Sequence, residues 1–360
     1  MPAPLSPAPP MPEPSAAAAL KSQVDRVLRD FVREETALLV AIDPQLRPVA
    51  EQLSAAVADG KRLRAAFCYW GWRAAGQPDS PALVRAAAAM ELVHAAAVVH
   101  DDLIDESPIR RGAPTAHIAL RAAVADGPEQ HAAGRSLAIL VGDLLMSWAG
   151  QLFATCGLPA AYLARARPLW ATLARELIAG ECLEILRTRA RPCAESSLEI
   201  IRYKTAKYTV EHPLHLGGIL GGGPPALLAT FSAYGMPLGE AFQLRDDLLG
   251  VFGDPSRTGK SNLDDFADAK PTALLALTLD RAQPADREDL QALLGRSDLD
   301  PAGLDRVREI MERSGARARV EEMITERTAA ARRAIGGAPL PPRAADALTG
   351  LITSATARTS

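Results

Sequence analysis

The chain has 360 residues, 48% hydrophobic but only 4% aromatic, 23% charged, with a formal net charge of -3. This composition describes a soluble protein of closely packed, alanine-rich helices. The small net charge, with basic residues confined to short motifs, excludes a general attraction to nucleic acid.

In chain order, residues 1–15 (MPAPLSPAPPMPEPS) are proline-rich and lack the positive start and apolar core of a signal peptide, so they read as a disordered leader. No run approaches about 20 uninterrupted apolar residues, which predicts a cytoplasmic protein without a membrane anchor. From Ala16 to residue 360 helical periodicity dominates. Breakers fall at Asp43-Pro44, Gly76 to Pro78, Gly127-Pro128, Gly221 to Pro225 and Asp254-Pro255, alternating strands are absent, and no linker separates two cores. These features predict one all-α domain over 16–360, a bundle of about 10–15 helices around a central cavity. Cys68, Cys156, Cys182 and Cys193 show no CxxC spacing and read as small buried side chains, with neither disulfides nor zinc.

Two acidic clusters stand out, each ending one of the most apolar helices, near 81–105 and 226–251. The first holds Asp101, Asp102 and Asp105 in HDDLIDESPIRRG; the second holds Asp246 and Asp247 in QLRDDLLGVFGDP. Residues four apart return to one side of a helix, so Asp101 and Asp105 form a two-oxygen jaw with Asp102 beside it. Neighbouring carboxylates repel unless a cation lies between them, and oxygen-only ligands favour Mg²⁺, which keeps coordination sites for phosphate oxygens. Arg110 and Arg111, a little over one turn further on, offer fork-shaped donors to a diphosphate. His94 lies two turns before Asp101, where a donor would face the same cavity, whereas His100 points away and reads as packing.

Four segments in order, GKRLRA (Gly60 to Ala65), ELVHAAAVVHDDLIDESPIRRGAPTAH (Glu91 to His117), YKTAKYTVEHPLHLG (Tyr203 to Gly217) and QLRDDLLGVFGDPSRTGKSNLDDFADAKPT (Gln243 to Thr272), resemble the trans-isoprenyl diphosphate synthases of the polyprenyl synthetase family. The third and last carry the flavour of the bacterial geranylgeranyl-type branch. The resemblance covers about residues 20–355. It implies the isoprenoid synthase fold, a homodimer, and Mg²⁺-dependent condensation of an allylic diphosphate with isopentenyl diphosphate by ionisation, condensation and elimination. Three ions would be held by Asp101, Asp102, Asp105, Asp246 and Asp247. Arg110, Lys204, Thr205, Gln243, Lys260 and Lys270 would serve the allylic diphosphate, with Asp101, Asp102, Asp105, Arg110, Lys204, Asp246 and Asp247 as the catalytic set. Lys61, Arg64, His94 and Arg111 would hold isopentenyl diphosphate. The loop carrying Gly259, Lys260 and Lys270 would close over the site, and the released diphosphate would take the last proton. Gly250 stands where many relatives have a third aspartate, which leaves fewer oxygens for a metal there.

Product length is a packing question on the helix before Asp101. Ala96 and Ala97 are small enough to let a growing tail pass, Val93 lies a turn deeper, and Met90 with Ala89 forms a floor. The leading expectation is a twenty-carbon product, geranylgeranyl diphosphate, against farnesyl or longer polyprenyl chains. The competing classes are a terpene cyclase on the same scaffold, for which the GKRLR and His94 set would be redundant, and a non-catalytic partner subunit.

Overall fold

A computed structural model of the chain describes residues 16–188, 192–253, 270–296 and 299–356. The leader, Gly259 and Lys260 lie outside the described residues.

The long helices are α1 (Ala16–Ile42), α2 (Arg47–Ala58), α3 (Leu63–Ala74) and α4 (Pro81–Ile104), then, after the short α5 (Ala116–Ala119), α6 (Gln130–Ala154) and α7 (Ala160–Arg187). α8 (Ala194–Ile201), a π-helical segment (Arg202–Glu211) and α9 (His212–Leu220) form one continuous rod. α10 (Pro225–Phe252), α11 (Ala273–Arg281), α12 (Pro284–Leu293), α13 (Pro301–Arg313), α14 (Ala316–Gly336) and α15 (Pro342–Thr356) complete the all-α architecture.

α4 is the central helix. Ser80 caps it by accepting from the Leu83 amide, and Pro81 pre-sets its first turn. Ala86, Ala87, Ala88 and Ala89 are fully buried, and side chains this small let α6 pack along α4. A core of Leu28, Leu53, Leu92, Leu145, Leu152 and Leu173 surrounds it. Two further clusters lie under α10 to α14 and between α3, α9, α10 and α15.

Both acidic helices end where expected, α4 at Ile104 and α10 at Phe252. Helix C-termini carry partial negative charge, so carboxylates gathered there call for cations. Beyond α4 the chain departs from the helical extrapolation. Ile109–Arg110 pairs antiparallel with Ala113–Pro114, and Arg111 and Gly112 between them have φ of 53° and 77°. Two positive-φ residues joining two strands make a tight hairpin turn. Arg110 and Arg111 therefore sit on a hairpin, the only strands among the described residues.

One further expectation needs correction. Cys68 and Cys156 are buried, but Cys182 and Cys193 are exposed, and the Cys193 sulfur caps α8 by accepting from the Ser196 amide. By length and composition α4 and α6 are each apolar enough to cross a membrane, because charges spread thinly along a helix lower its mean hydropathy little. The apolar window of α4 is nonetheless 72% buried inside the protein.

Candidate active site

A cavity of about 690 Å³ opens between α1, α3, α4, α7, the π-helical segment, α10 and the hairpin. Two sets of side chains line it, joined by an apolar wall of Ala97, Val98, Leu177 and Phe242.

The first set is acidic and surrounds Asp101. The Asp101 Oδ1 accepts from Lys204 Nζ at 3.0 Å and its Oδ2 from Arg110 Nη2 at 3.3 Å. Lys270 Nζ donates to Asp105 Oδ2 at 2.5 Å. Burial pushes the Asp101 carboxyl up, but Lys204, Lys270 and Arg110 outweigh it and hold the pKa at about 2. Burial and then the Asp101 charge raise Asp105. Burial disfavours the Lys204 ammonium, yet Asp101, Glu184 and Glu181 raise its pKa above the ordinary value. A carboxylate pair split in this way is short of positive charge, and the protein's own ammonium groups supply it in part.

Asp102 is turned away from the cavity. It is 5% exposed and grips Arg110 Nε at 2.5 Å, so it orients the arginine. Asp246 lines the cavity. Asp247 accepts from Gln243 Nε2 at 2.9 Å, and Gln243 Oε1 accepts from Thr205 Oγ1 at 2.8 Å, which ties the second acidic motif to the Lys204-Thr205 pair. Among the described residues no three acidic, histidine or cysteine side chains converge tightly enough to enclose a bare ion. The donor set is still all oxygen, on facing helices, and suits a hard cation that keeps water and phosphate oxygens as its other ligands.

The second set is basic. Lys61, Arg64, His94 and Arg111 line the cavity together. Arg62 sets the loop before α3: it takes a left-handed conformation, φ 54°, while its buried guanidinium binds Asp25 Oδ1 at 2.7 Å and the Val57 carbonyl at 2.6 Å. Glu91 on α4 accepts from the Ala65 amide at 2.8 Å, which satisfies one of the open N–H groups at the start of α3 and fixes the direction of Arg64. Arg64 lies over the Tyr208 ring at 4.2 Å and donates to Thr209 Oγ1 at 2.9 Å. Arg111 donates to the Asp59 carbonyl at 3.0 Å and so pins the hairpin to this loop.

His94 Nδ1 lies 2.7 Å from the Tyr208 hydroxyl. Burial, followed by Arg64, Arg111, Arg110 and Arg62, holds its pKa well below the usual histidine value. Burial drives the Tyr208 pKa to about 12, so the phenol stays protonated. His100 does face away, with Nε2 3.2 Å from the Ile139 carbonyl.

The π-helical segment explains how Lys204, Thr205 and Tyr208 reach the cavity together. A π turn is wider than an α turn and re-aims the side chains that follow it. It is received by glycines: an added Cβ on Gly180 of α7 would lie 2.4 Å from Lys204 N, and one on Gly239 of α10 would lie 2.4 Å from Ala206 Cα. Along α4, Ala97 faces the cavity, whereas Ala96, Val93 and Met90 are buried at 0%, 1% and 0% exposure and lie outside its lining.

Sequence reasoning passed over Glu91, Glu181, Glu184 and Tyr208. The acids had a signal of the kind that marked the aspartates, since ECLE places two carboxylates one turn apart in an apolar helix.

Comparison with known proteins is consistent along the chain. Residues 46–311 match the family model described as Polyprenyl synthetase. A short chain isoprenyl diphosphate synthase of Methanothermobacter thermautotrophicus is 32% identical over 243 residues, covering 67% of this chain and 70% of that protein. A Corynebacterium glutamicum geranylgeranyl pyrophosphate synthase, solved with isoprenyl diphosphate and magnesium, superposes with a TM-score of 0.89 at 34% identity over 94% of this chain and 98% of its own. A Caulobacter crescentus CB15 polyprenyl synthase, solved with calcium and isoprenyl diphosphate, gives 0.79 at 30% identity over 96% of each chain.

Proposed function

The chain belongs to the polyprenyl synthetase family, and from that premise we propose that it makes geranylgeranyl diphosphate by adding isopentenyl diphosphate to an allylic diphosphate. It is a transferase of the trans-prenyl diphosphate synthase type, acting head to tail. The observation that carries the two-substrate reading is the pairing of two anion-binding sets in one cavity, Asp101 with Lys204 and Arg110 on one hand and Lys61, Arg64, His94 and Arg111 on the other. A cyclase acting on a single diphosphate has no use for the second set.

Asp101, Asp105 and Asp246 would hold divalent ions, magnesium best matching their oxygen donors, and the relatives solved with magnesium or calcium support this. Such ions neutralise the diphosphate and make it a better leaving group. Arg110 and Lys204 donate to its oxygens as the allylic C–O bond breaks and charge moves onto them. Lys61, Arg64, Arg111 and the neutral His94 hold isopentenyl diphosphate so that its double bond faces the allylic carbon, an alignment that removes much of the entropic barrier. Ala97, Val98, Leu177 and Phe242 exclude water from the cation. The proton lost in the last step goes to the released diphosphate, which Lys204 keeps in place.

Ala97 and Val98 are the α4 side chains at the apolar wall, and the small size of Ala97 supports a product longer than fifteen carbons. Incubating the enzyme with dimethylallyl, geranyl or farnesyl diphosphate, with and without labelled isopentenyl diphosphate, should give a labelled twenty-carbon product only when both substrates are present. Ala97→Phe should shift it to fifteen carbons, since one helix turn of ~5.4 Å spans about one isoprene unit. Product formed without isopentenyl diphosphate would overturn the reaction, and an unchanged length in Ala97→Phe would overturn the tail path. We also propose a homodimer, supported by the exposed apolar side chains Ile139, Leu140, Ile178, Ile185 and Leu186. Light scattering should return twice the chain mass, and a monomer mass at micromolar concentration would remove the proposal.

A further inference from the structure

α7 brings two acids to the cavity that belong to neither acidic motif. Glu181 Oε2 and Glu184 Oε1 lie 2.9 and 2.7 Å from Lys204 Nζ, alongside Asp101 Oδ1 at 3.0 Å. Glu181 also lines the cavity, and its other oxygen, Oε1, is buried without a hydrogen-bond partner among the described residues. One ammonium thus faces three carboxylates, more than its own charge requires. We propose that Glu181 and Glu184 are positioning residues that keep the Lys204 ammonium at the cavity wall when Asp101 turns to a metal ion. The inference rests on the prenyl-transfer reading for the identity of that metal-bound state.

Two independent features of the site, competition and placement, assign this role to the glutamates. The first is competition. An Asp101 carboxylate engaged by a divalent ion no longer holds Lys204, and a lysine with four rotatable bonds and no other partner would leave the diphosphate or compete with the ion for Asp101. Two carboxylates a turn apart on a neighbouring helix remove that competition, because the ammonium keeps two of its three ion-pair partners. The second is placement. The residue before Glu181 is Gly180, where an added Cβ would stand 2.4 Å from Lys204 N. A single turn of α7 therefore fixes the lysine twice, its backbone by close approach at Gly180 and its ammonium by Glu181 and Glu184. A role confined to helix-to-helix stability would be served by the Lys207–Glu176 pair, which joins the same two elements at 3.1 Å.

The test is the pair Glu181→Gln and Glu184→Gln, singly and together, in the wild-type and Lys204→Ala backgrounds. The charge change is isosteric, and the single variants remain informative if the double variant folds poorly. In the wild-type background the double variant should raise both the KM for the allylic diphosphate and the half-saturating magnesium concentration about tenfold, the weight of a charge-assisted hydrogen bond. The KM for isopentenyl diphosphate should stay unchanged. In the Lys204→Ala background the same changes should add nothing. Calorimetric titration of magnesium in the presence of geranyl thiolodiphosphate, which binds without reacting, should show the same loss of affinity. An undiminished effect in the Lys204→Ala background, a parallel rise in both KM values, or no change in magnesium affinity would overturn the assignment. Failure of the prenyl-transfer reading would appear separately, as a wild-type chain that binds magnesium and the thiolodiphosphate but makes no product dependent on isopentenyl diphosphate.

Discussion

Replacing Asp101 by asparagine should leave a folded protein in which prenyl transfer falls roughly 10³-fold in kcat/KM, the scale seen when one preorganised electrostatic group is removed from a developing charge. The side chain keeps its shape, and Lys204 keeps Glu181 and Glu184 as partners, so the local fold has little reason to change. What disappears is the carboxylate whose pKa is held near 2 by Lys204, Lys270 and Arg110 against the effect of burial. It is the one member of its cluster that both lines the cavity and touches two cations. Steady-state kinetics at saturating magnesium, beside thermal melts and circular dichroism, would measure the effect. A loss below tenfold with an intact fold would mean that Asp101 does not hold the leaving group's counter-charge. Asp102→Asn offers a contrast. Its carboxylate meets Arg110 rather than the cavity, so the expected loss is smaller and acts through the arginine.

The parts of this site that were legible in the sequence share a physical origin. Carboxylates at the C-terminal ends of strongly apolar helices are anomalous on local grounds, because neither the helix end nor the apolar surroundings favour them without a cation. Asp101, Asp105 and Asp246 carry that anomaly openly, and the two helices that bear them run over the expected spans. His94, two turns from Asp101, follows from helix period alone. Arg110 and Arg111 were legible only in part. Their phosphate-matched chemistry is plain, but helical spacing misplaces them, since the turn at Arg111-Gly112 reverses the chain. The π-helical segment was equally hidden: its wide turn is held by Gly180 and Gly239 from two distant helices, and local sequence does not state a contact made across the fold. Glu91 has the same character, because its partner amide belongs to α3. The exposed Cys182 escaped because an apolar stretch of helix shows two faces, and composition does not say which of them the fold covers; Cys193 stands outside the helix altogether, in extended conformation as the cap of α8.

Gly180→Ala should be nearly as damaging as the loss of a charged residue, although it adds a single methyl group. The new Cβ would stand 2.4 Å from Lys204 N, 2.7 Å from Lys204 Cα and 2.8 Å from Tyr203 C. All three are backbone atoms, which have no rotamer by which to step aside. The π-helical segment must therefore move away from α7, and Lys204, Thr205 and Tyr208 move with it. Overpacking of this kind costs about 1–3 kcal/mol of stability, and a displacement of about 1 Å at a group that positions a substrate costs about 10²-fold in rate. The expected result is a modest fall in Tm with a fall of that size in kcat/KM for the allylic diphosphate. The KM for isopentenyl diphosphate should rise less, since Lys61 and Arg111 sit on the loop before α3 and on the hairpin, away from the displaced segment. Gly350→Ala on α15 is the matched control: nothing lies within 4 Å of its added Cβ, and relief of helix entropy should stabilise the protein by about 0.5–1 kcal/mol without touching turnover. Wild-type kinetics in Gly180→Ala would show that the approach of α7 to Lys204 is dispensable, and the positioning ascribed to that turn of helix would have to be carried by the glutamates alone.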